Sequence, residues 1–599
     1  MSVLIQSASH PHNFLDHGRD VSAKALVLST ASAVTLPKEP VPLGLGIPLN
    51  TPHAISCSIP TWSDNSAFMA KDERVTAAMK TGYPRSFIHP SVQKLLDLCE
   101  QHLDVEGERC LLFPSLKAAE LCRDYMVRQP SNAGSPVSAR VAHVSFINEK
   151  GLETVADFCS QVPFSAARPE IHATIFPLDV FQFARQFMIY AGMGISSRLA
   201  DYCLSLIAKK ADNGPGRRMV ASQNDPGPGT TAKLAMRSRI AQLLRHDRPP
   251  ASHSVSADDV FLYPNGMCGI WNVHNVVSMA RPTSKSVCFG FSYTDTMRIM
   301  REWAPGCHFF GHGSDADLDE LERTLAADSS SSAAPPIFAL FTEFPSNPLL
   351  RCPDLARLRA LADKYDFLIV IDETIGNFVD VDVLQYADIT ATSLSKSFSG
   401  SANVLGGSVV LNPAGRHYQE LKSQFRTSFE DIYFDEDAIC MELNSRDLPS
   451  RLRVTDVNTE AVCDLLRSRS IAGGASPEFS AIKEVFYPKW TTRKKYDSCR
   501  SAEGSASGSF GSLCSVIFIS AAAAHAFYDS LLCYKGPSLG TNFTLACPYT
   551  LLGHFNELEW ASGYGVEENL VRISVGMEDR DALLKTILSA LVIAEQAQA

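Results

Sequence analysis

No two cysteines of this 599-residue chain form a C-x-x-C pair, although the chain has 16 of them. Their spacings therefore suggest neither a zinc site nor a small disulfide scaffold. Most lie in apolar runs such as 513-LCSVIF-518, where a reduced core thiol belongs. A reducing, cytoplasmic compartment is expected. An excess of basic charge is missing too. The net charge is -11, so no nucleic-acid partner is expected. Short basic patches such as 491-TTRKK-495 read as solvated loop. No apolar run is long enough to cross a bilayer. The most apolar window, 511–532, is interrupted by His525 and Asp529. It predicts a buried strand leading into a buried helix, and no membrane partner is expected. The start, MSVLIQSASHPHNF, lacks the positive and apolar regions of a secretory signal. Neither G-x-x-x-x-G-K-[ST] nor G-x-G-x-x-G after a strand occurs, which weighs against ATP and NAD.

The texture of the chain changes along its length. Residues 1–65 are rich in Pro, Ser and His and read as an extended arm. Helical spacing dominates a region taken to 250, as in 89-HPSVQKLLDLCEQHL-103, with breaker-rich loops such as 211–230. From 251 to 415 short apolar runs alternate with helices. The runs are 260-VFLY-263, 285-KSVCFGF-291, 337-IFALFTE-343, 367-FLIVID-372 and 404-VLGGSVVL-411. That alternation predicts an α/β fold, with a central, mostly parallel sheet flanked by helices. Residues 416–599 read as a smaller C-terminal α+β domain. It is broken by the low-complexity segment 497–511, read as a loop, and has a late strand at 570-LVRISV-575.

Three features coincide in the α/β part. The run 367-FLIVIDET-374 ends a strand on Asp372 and Glu373. Such an acid could bind magnesium, bind a ribose hydroxyl or balance a protonated ring nitrogen. In 388-DITATSLSKSFSG-400, Lys396 stands among small hydroxyl residues. Desolvation or a neighbouring cation would free its amine to attack a carbonyl carbon. Taken alone, the run also fits a solvated loop lysine. In 261-FLYPNGMCGIWNVHN-275 a strand runs through Pro-Asn-Gly into a helix, whose exposed amides would attract phosphate. An earlier block, 110-CLLFPS-115, echoes 261-FLYPNG-266.

On these residues the chain resembles the Cys/Met-metabolism enzymes dependent on pyridoxal 5'-phosphate (PLP), of fold type I, and within them the fungal cystathionine γ-synthases. The resemblance covers about 55–599. It implies that Lys396 holds the cofactor covalently and acts in catalysis. It implies that Ser393 and Ser395, with the amides of Gly266 and Met267, bind the phosphate. It pairs Asp372 with the pyridine nitrogen and Asn347 with the phenolic oxygen. It assigns Arg572 to the substrate carboxylate and Ser538 to the substrate pocket. The ring-stacking tyrosine of most relatives falls on Phe289, with Tyr293 as a nearby alternative. No metal is implied. The family also takes a Tyr and an Arg from a neighbouring subunit. Tyr83 and Arg85 in 82-GYPRSFIHP-90 fit that pair, and Arg198 in 194-GISSR-198 rivals it.

The reaction implied is γ-replacement on an O-acylated L-homoserine, with L-cysteine giving L-cystathionine, in a homodimer or homotetramer. The alternative within the family is another carbon, nitrogen or sulfur nucleophile in secondary metabolism, or a related lyase.

Overall fold

The computed structural model describes residues 34–598 apart from internal segments, the longest being 130–136, 146–152, 156–169, 212–226 and 246–253. The secondary structure is organised into three sheets. The first has the order β1-β4-β2-β3 and is antiparallel, with β1 Glu108–Phe113, β2 Arg140–Ser145, β3 Glu153–Val155 and β4 Ile171–Pro177. The second has the order β5-β11-β10-β9-β8-β6-β7. Its strands are β5 Val260–Tyr263, β6 Lys285–Phe289, β7 Cys307–Phe310, β8 Ile337–Glu343, β9 Leu368–Asp372, β10 Ile389–Thr392 and β11 Gly407–Leu411. The third, order β12-β13-β16-β15-β14, contains β12 Ile482–Phe486, β13 Leu513–Phe518, β14 Tyr534–Lys535, β15 Leu545–Cys547 and β16 Leu570–Ser574.

In the second sheet only β11 runs against its neighbours; β10, β9, β8, β6 and β7 pair in parallel. This is the α/β class expected. Both faces are covered, so β8 is buried at every position. The pleat sorts side chains between two cores. Val287, Phe289, Leu340, Ile369 and Ile371 face one, which includes Leu355, Leu358 and Leu361 of the helix Leu355–Tyr365. Cys288, Ala339, Phe341, Leu368 and Val370 face the other, which includes Ile270, Trp271 and Val273 of the helix Gly266–Ala280. The helix Leu355–Tyr365 shows how such a covering element is specified. Asp354 caps it by accepting from Arg357 N at 3.0 Å, its leucines recur every third residue, and Asp366 ends it at φ 56°. Each such leucine contributes about 1.5–3 kcal/mol by its burial.

Two local expectations need correction. The region read as helical does hold helices, such as Pro90–Leu103 and Leu116–Val127, but also the whole first sheet. Helical periodicity in the segments between its strands masked their signal. The segment 497–511 was read as a loop, yet it contains the helix Ala502–Ser507. Ser501 caps it by accepting from Gly504 N at 2.9 Å, and Gly508 stops it at φ 71°. The apolar window near 511–532 is the strand β13 followed by the helix Ala521–Ser530, as expected. Residues 1–33 of the N-terminal arm lie outside the described residues. Its later part packs onto the body through Ile55 N to Ala402 O at 2.8 Å and Ile59 N to Lys535 O at 3.1 Å. Among the described residues no cysteine is in a disulfide, and no helix is long and apolar enough to cross a membrane.

Candidate active site

Parallel strands deliver their last residues to one edge of a sheet, and ligands of such sheets bind there. Here that edge collects the turn after β5 (264–266), the turn after β6 (290–293), the end of β8 (343–347), Asp372 at the end of β9, and the 393–400 turn after β10.

Lys396 sits in a tight turn in which Gly400 N donates to its carbonyl at 2.8 Å. Buried Arg451 braces the turn by donating to Ser397 O at 3.1 Å and Phe398 O at 2.9 Å. The Lys396 Nζ donates to Ser538 Oγ at 3.1 Å and lies 4.8 Å from the centre of the Tyr83 ring. The 538–540 loop reaches this close because residue 540 is glycine. It has φ +68°, and a Cβ there would stand 2.5 Å from Ser397 N.

From Ser538 the network runs on. Arg572, buried in the middle of β16, donates to Ser538 O at 3.0 Å and to Asn347 Oδ1 at 2.8 Å. Its guanidinium lies 4.7 Å from the centre of the Tyr549 ring. Asn347 in turn donates to the Tyr549 hydroxyl at 3.0 Å. The backbone N–H of Asn347 donates to Glu343 Oε2 at 2.8 Å, and that of Tyr293 to Glu343 Oε1 at 2.5 Å. Thus Lys396, Ser538, Arg572 and Asn347, expected from motifs far apart in sequence, form one chain of contacts.

Glu343 and Asp372 are direct neighbours in the β8–β9 register. Burial, then the Asp372 carboxylate, push Glu343 above the usual carboxylate range, which favours its neutral form. Burial also raises Asp372, while Thr374 and the Lys396 ammonium favour its ionised form. Thr374 ties the two turns together: its N–H donates to Asp372 Oδ1 at 2.9 Å, and its Oγ1 accepts from Ser393 N at 2.8 Å.

Gly266 opens the helix Gly266–Ala280, and Asn265 caps it by accepting from Cys268 N at 3.0 Å. A Cβ on Gly266 would stand 2.8 Å from the Cβ of Ser393, so glycine lets the lysine turn close onto the helix start. The backbone of Met267 lies in the first turn of that helix, and its side chain packs in the core.

Three expected residues are placed differently. Phe289 is fully buried, with its ring 6.3 Å from that of Phe310, because it points to the face opposite Asp372. Gly290, at φ +88°, then turns the chain and presents Tyr293 beside Glu343. Ser395 donates to Gly406 O at 3.2 Å and accepts from Gly406 N at 3.0 Å, so its one hydroxyl proton is already committed. Arg198 is bound to Asp437 at 3.0 Å and to Asn403 O at 2.7 Å within its own chain. Arg85 lies outside the described residues. Sequence reasoning missed Glu343 and Tyr549. Glu343 had a signal, since its strand, like the neighbouring β9, ends on an acid; Tyr549 had none in its spacing.

These residues fit the three polar ends of PLP. Lys396 would meet the aldehyde, Asp372 the ring nitrogen, and the helix start with Ser393 the phosphate, in a cradle that a side chain at position 266 would fill.

Comparison with known proteins adds the following. The family model described as "Cys/Met metabolism PLP-dependent enzyme" matches residues 254–592, and that described as "Fungal trans-sulfuration enzyme, N-terminal domain" matches residues 91–196. The chain is similar to a cystathionine gamma-synthase-like enzyme of Amanita muscaria (strain Koide BX008), with 47% identity over 95% of this chain and 99% of the relative. It is similar to the cystathionine gamma-synthase of Neurospora crassa, with 37% identity over 93% and 99% of the two chains. It is also similar to an alanine racemase of Aspergillus violaceofuscus, with 34% identity over 92% and 97%.

Proposed function

The chain belongs to the Cys/Met-metabolism PLP-dependent enzymes, and on that premise we propose that it catalyses γ-replacement on an O-acylated L-homoserine, with L-cysteine as nucleophile and L-cystathionine as product. The observation that carries this reading is the contact chain Lys396–Ser538–Arg572–Asn347. It sets an amine and a carboxylate-gripping guanidinium on the two sides of one serine, as an α-amino acid requires. The names of the Amanita and Neurospora relatives favour γ-replacement within that frame.

The cofactor supplies an electron sink conjugated with the substrate Cα. Lys396 moves protons among the carbons that lose and regain them, as base and then as acid. Asp372 holds the ring nitrogen protonated. Glu343, neutral beside it, adds no second charge and braces the Tyr293 and Asn347 backbones. Tyr293, rather than the buried Phe289, would stack on the ring. Arg572 grips the substrate carboxylate with two parallel hydrogen bonds, exchanging its present contact with Asn347 Oδ1 for the substrate. Ser393 and the Gly266 and Met267 amides hold the phosphate, while Ser395 braces the turn. Tyr83 covers Lys396 from within the same chain. The reading includes a cytoplasmic homodimer or homotetramer, checked by light scattering of the PLP-loaded protein.

The deciding experiment is a substrate-pair screen. Purified protein is given O-acetyl- or O-succinyl-homoserine with cysteine, sulfide or a β-keto acid, and products are identified by mass. Cystathionine is expected. Product from another nucleophile alone would transfer the reading to that nucleophile. Release of a 2-oxo acid with no addition product would make the enzyme a lyase and overturn the proposal. The alanine racemase relative makes Cα inversion of L-alanine the control reaction, because it needs only the proton transfers and no leaving group.

A further inference from the structure

The first sheet carries a second constellation, away from Lys396. Glu170, directly before β4, and His172 on it are two residues apart and so project from one face. His143 on β2 is directly opposite His172 in the antiparallel register. The two imidazole centroids are 4.9 Å apart at an interplanar angle of 54°. Ligand atoms of His143, Glu170 and His172 all lie within 4.8 Å of one another. His172 is 4% exposed, and its Nδ1 is buried with no hydrogen-bond partner among the described residues. Buried imidazole nitrogens ordinarily have partners. His143 and Glu170 are more open, half-buried and exposed respectively.

We propose that His143, His172 and Glu170 bind one divalent transition-metal ion of the zinc class, leaving a fourth position open to solvent. Two imidazoles and one carboxylate suit zinc, cobalt or nickel, whereas magnesium and calcium take all-oxygen shells. A strand pair at i and i+2 with a third ligand on the adjacent strand presents three donors to one point above the sheet. Metal–ligand distances of about 2.0–2.2 Å place tetrahedral donors closer together than the apo limit here. Rotation of the His143 and Glu170 side chains closes that gap without moving a strand. The ion clips β4 to β2. The neighbouring residue on this face, Thr174, hydrogen-bonds to Ala119 O of the helix Leu116–Val127 at 2.9 Å, so the ion would also steady that helix.

The test uses full-length, PLP-loaded protein stripped of metal by chelation and titrated with Co2+, whose visible bands report its ligands. One Co2+ per chain is expected, displaced by Zn2+, without the intense near-ultraviolet band of a cobalt–thiolate bond. Glu170→Gln and His143→Ala should each weaken binding at least about tenfold. His172→Ala is a poor first choice because that side chain is buried; Glu170→Gln changes an exposed one and leaves the fold a sound reference. Failure to take up Co2+, uptake that both variants leave unchanged, or a thiolate band would each overturn the proposal.

Discussion

At Phe113–Pro114–Ser115 and again at Tyr263–Pro264–Asn265 the chain makes the same move. An edge strand ends, a proline follows, and the next residue caps a helix. Ser115 accepts from Ala118 N at 3.2 Å, and Asn265 accepts from Cys268 N at 3.0 Å, so each cap satisfies the third amide of its helix. β1 pairs antiparallel with β4, and β5 pairs antiparallel with β11. The first helical residue then differs: Leu116 in one, Gly266 in the other. Around Gly266 the sheet brings the Lys396 turn and Asp372. Around Leu116 there is no such lysine turn among the described residues; Ser115 bonds Glu430 at 2.9 Å, and the nearby sheet carries the His143–His172 pair. A shared local turn therefore does not make a cofactor site. The strands that converge on it do.

The comparison breaks most sharply at the lysine. Lys396→Ala should lower turnover at least about a thousandfold while the fold persists. Borohydride should then fail to fix PLP to the 393–400 peptide. Lys117→Ala, which only removes a contact to Ser428 O beside the first turn, should leave kcat/KM unchanged. Labelling at any peptide lacking Lys396 in the native protein would dissolve the distinction.

Exchanging the helix starts comes next. Gly266→Leu should abolish PLP retention, measured by visible absorbance after gel filtration, because its Cβ would press within 2.8 Å of Ser393. Leu116→Gly should keep full PLP and activity and cost about 1 kcal/mol in denaturant unfolding. Equal PLP loss in both variants would mean the two turns serve the site alike.

Arg572→Ala should raise KM for the amino-acid substrate about 10–100-fold with PLP still bound, since hydrogen bonds to charged groups contribute about 1.5–3 kcal/mol. Unchanged steady-state kinetics would transfer the carboxylate to another group.

The smallest effect concerns Glu373, beside Asp372. Both its carboxylate oxygens are buried without a hydrogen-bond partner among the described residues, and burial pushes it up to about 8. A carboxyl raised in the fold favours the native state fully below about 4.5, and this advantage is lost as pH rises through about 8. Glu373→Gln should therefore gain stability over the wild type between pH 5 and 8.5, by about 1 kcal/mol or more. Parallel melting curves for the two proteins across that range would remove the assignment.

Legibility followed the range of the physics. β5 and β8 coincide with the apolar runs 260–263 and 337–343, because a strand covered on both faces must be apolar throughout. β10, directly before the lysine turn, was hidden: Ile-Thr-Ala-Thr has no apolar run, and its threonines are buried by neighbouring strands. The stacking role expected at Phe289, with Tyr293 as the alternative, meets a fully buried phenylalanine ring. Strand parity turns Phe289 into the core, and only the positive φ of Gly290 reveals that the chain turns before Tyr293.

By itself the sequence determined which groups can do chemistry. Lys396 among hydroxyls, Asp372 at a strand end and the Pro-Asn-Gly helix start are each written within a dozen residues, where spacing alone governs geometry. The tertiary structure alone decided which of them meet. Arg572 reaches Asn347 across 225 positions and Lys396 reaches Ser538 across 142. The register of β8 against β9 sets Glu343 beside Asp372, and that of β2 against β4 sets His143 beside His172. Such meetings depend on how sheets pair and pack, and that is a property of the whole buried core, so no local pattern encodes it.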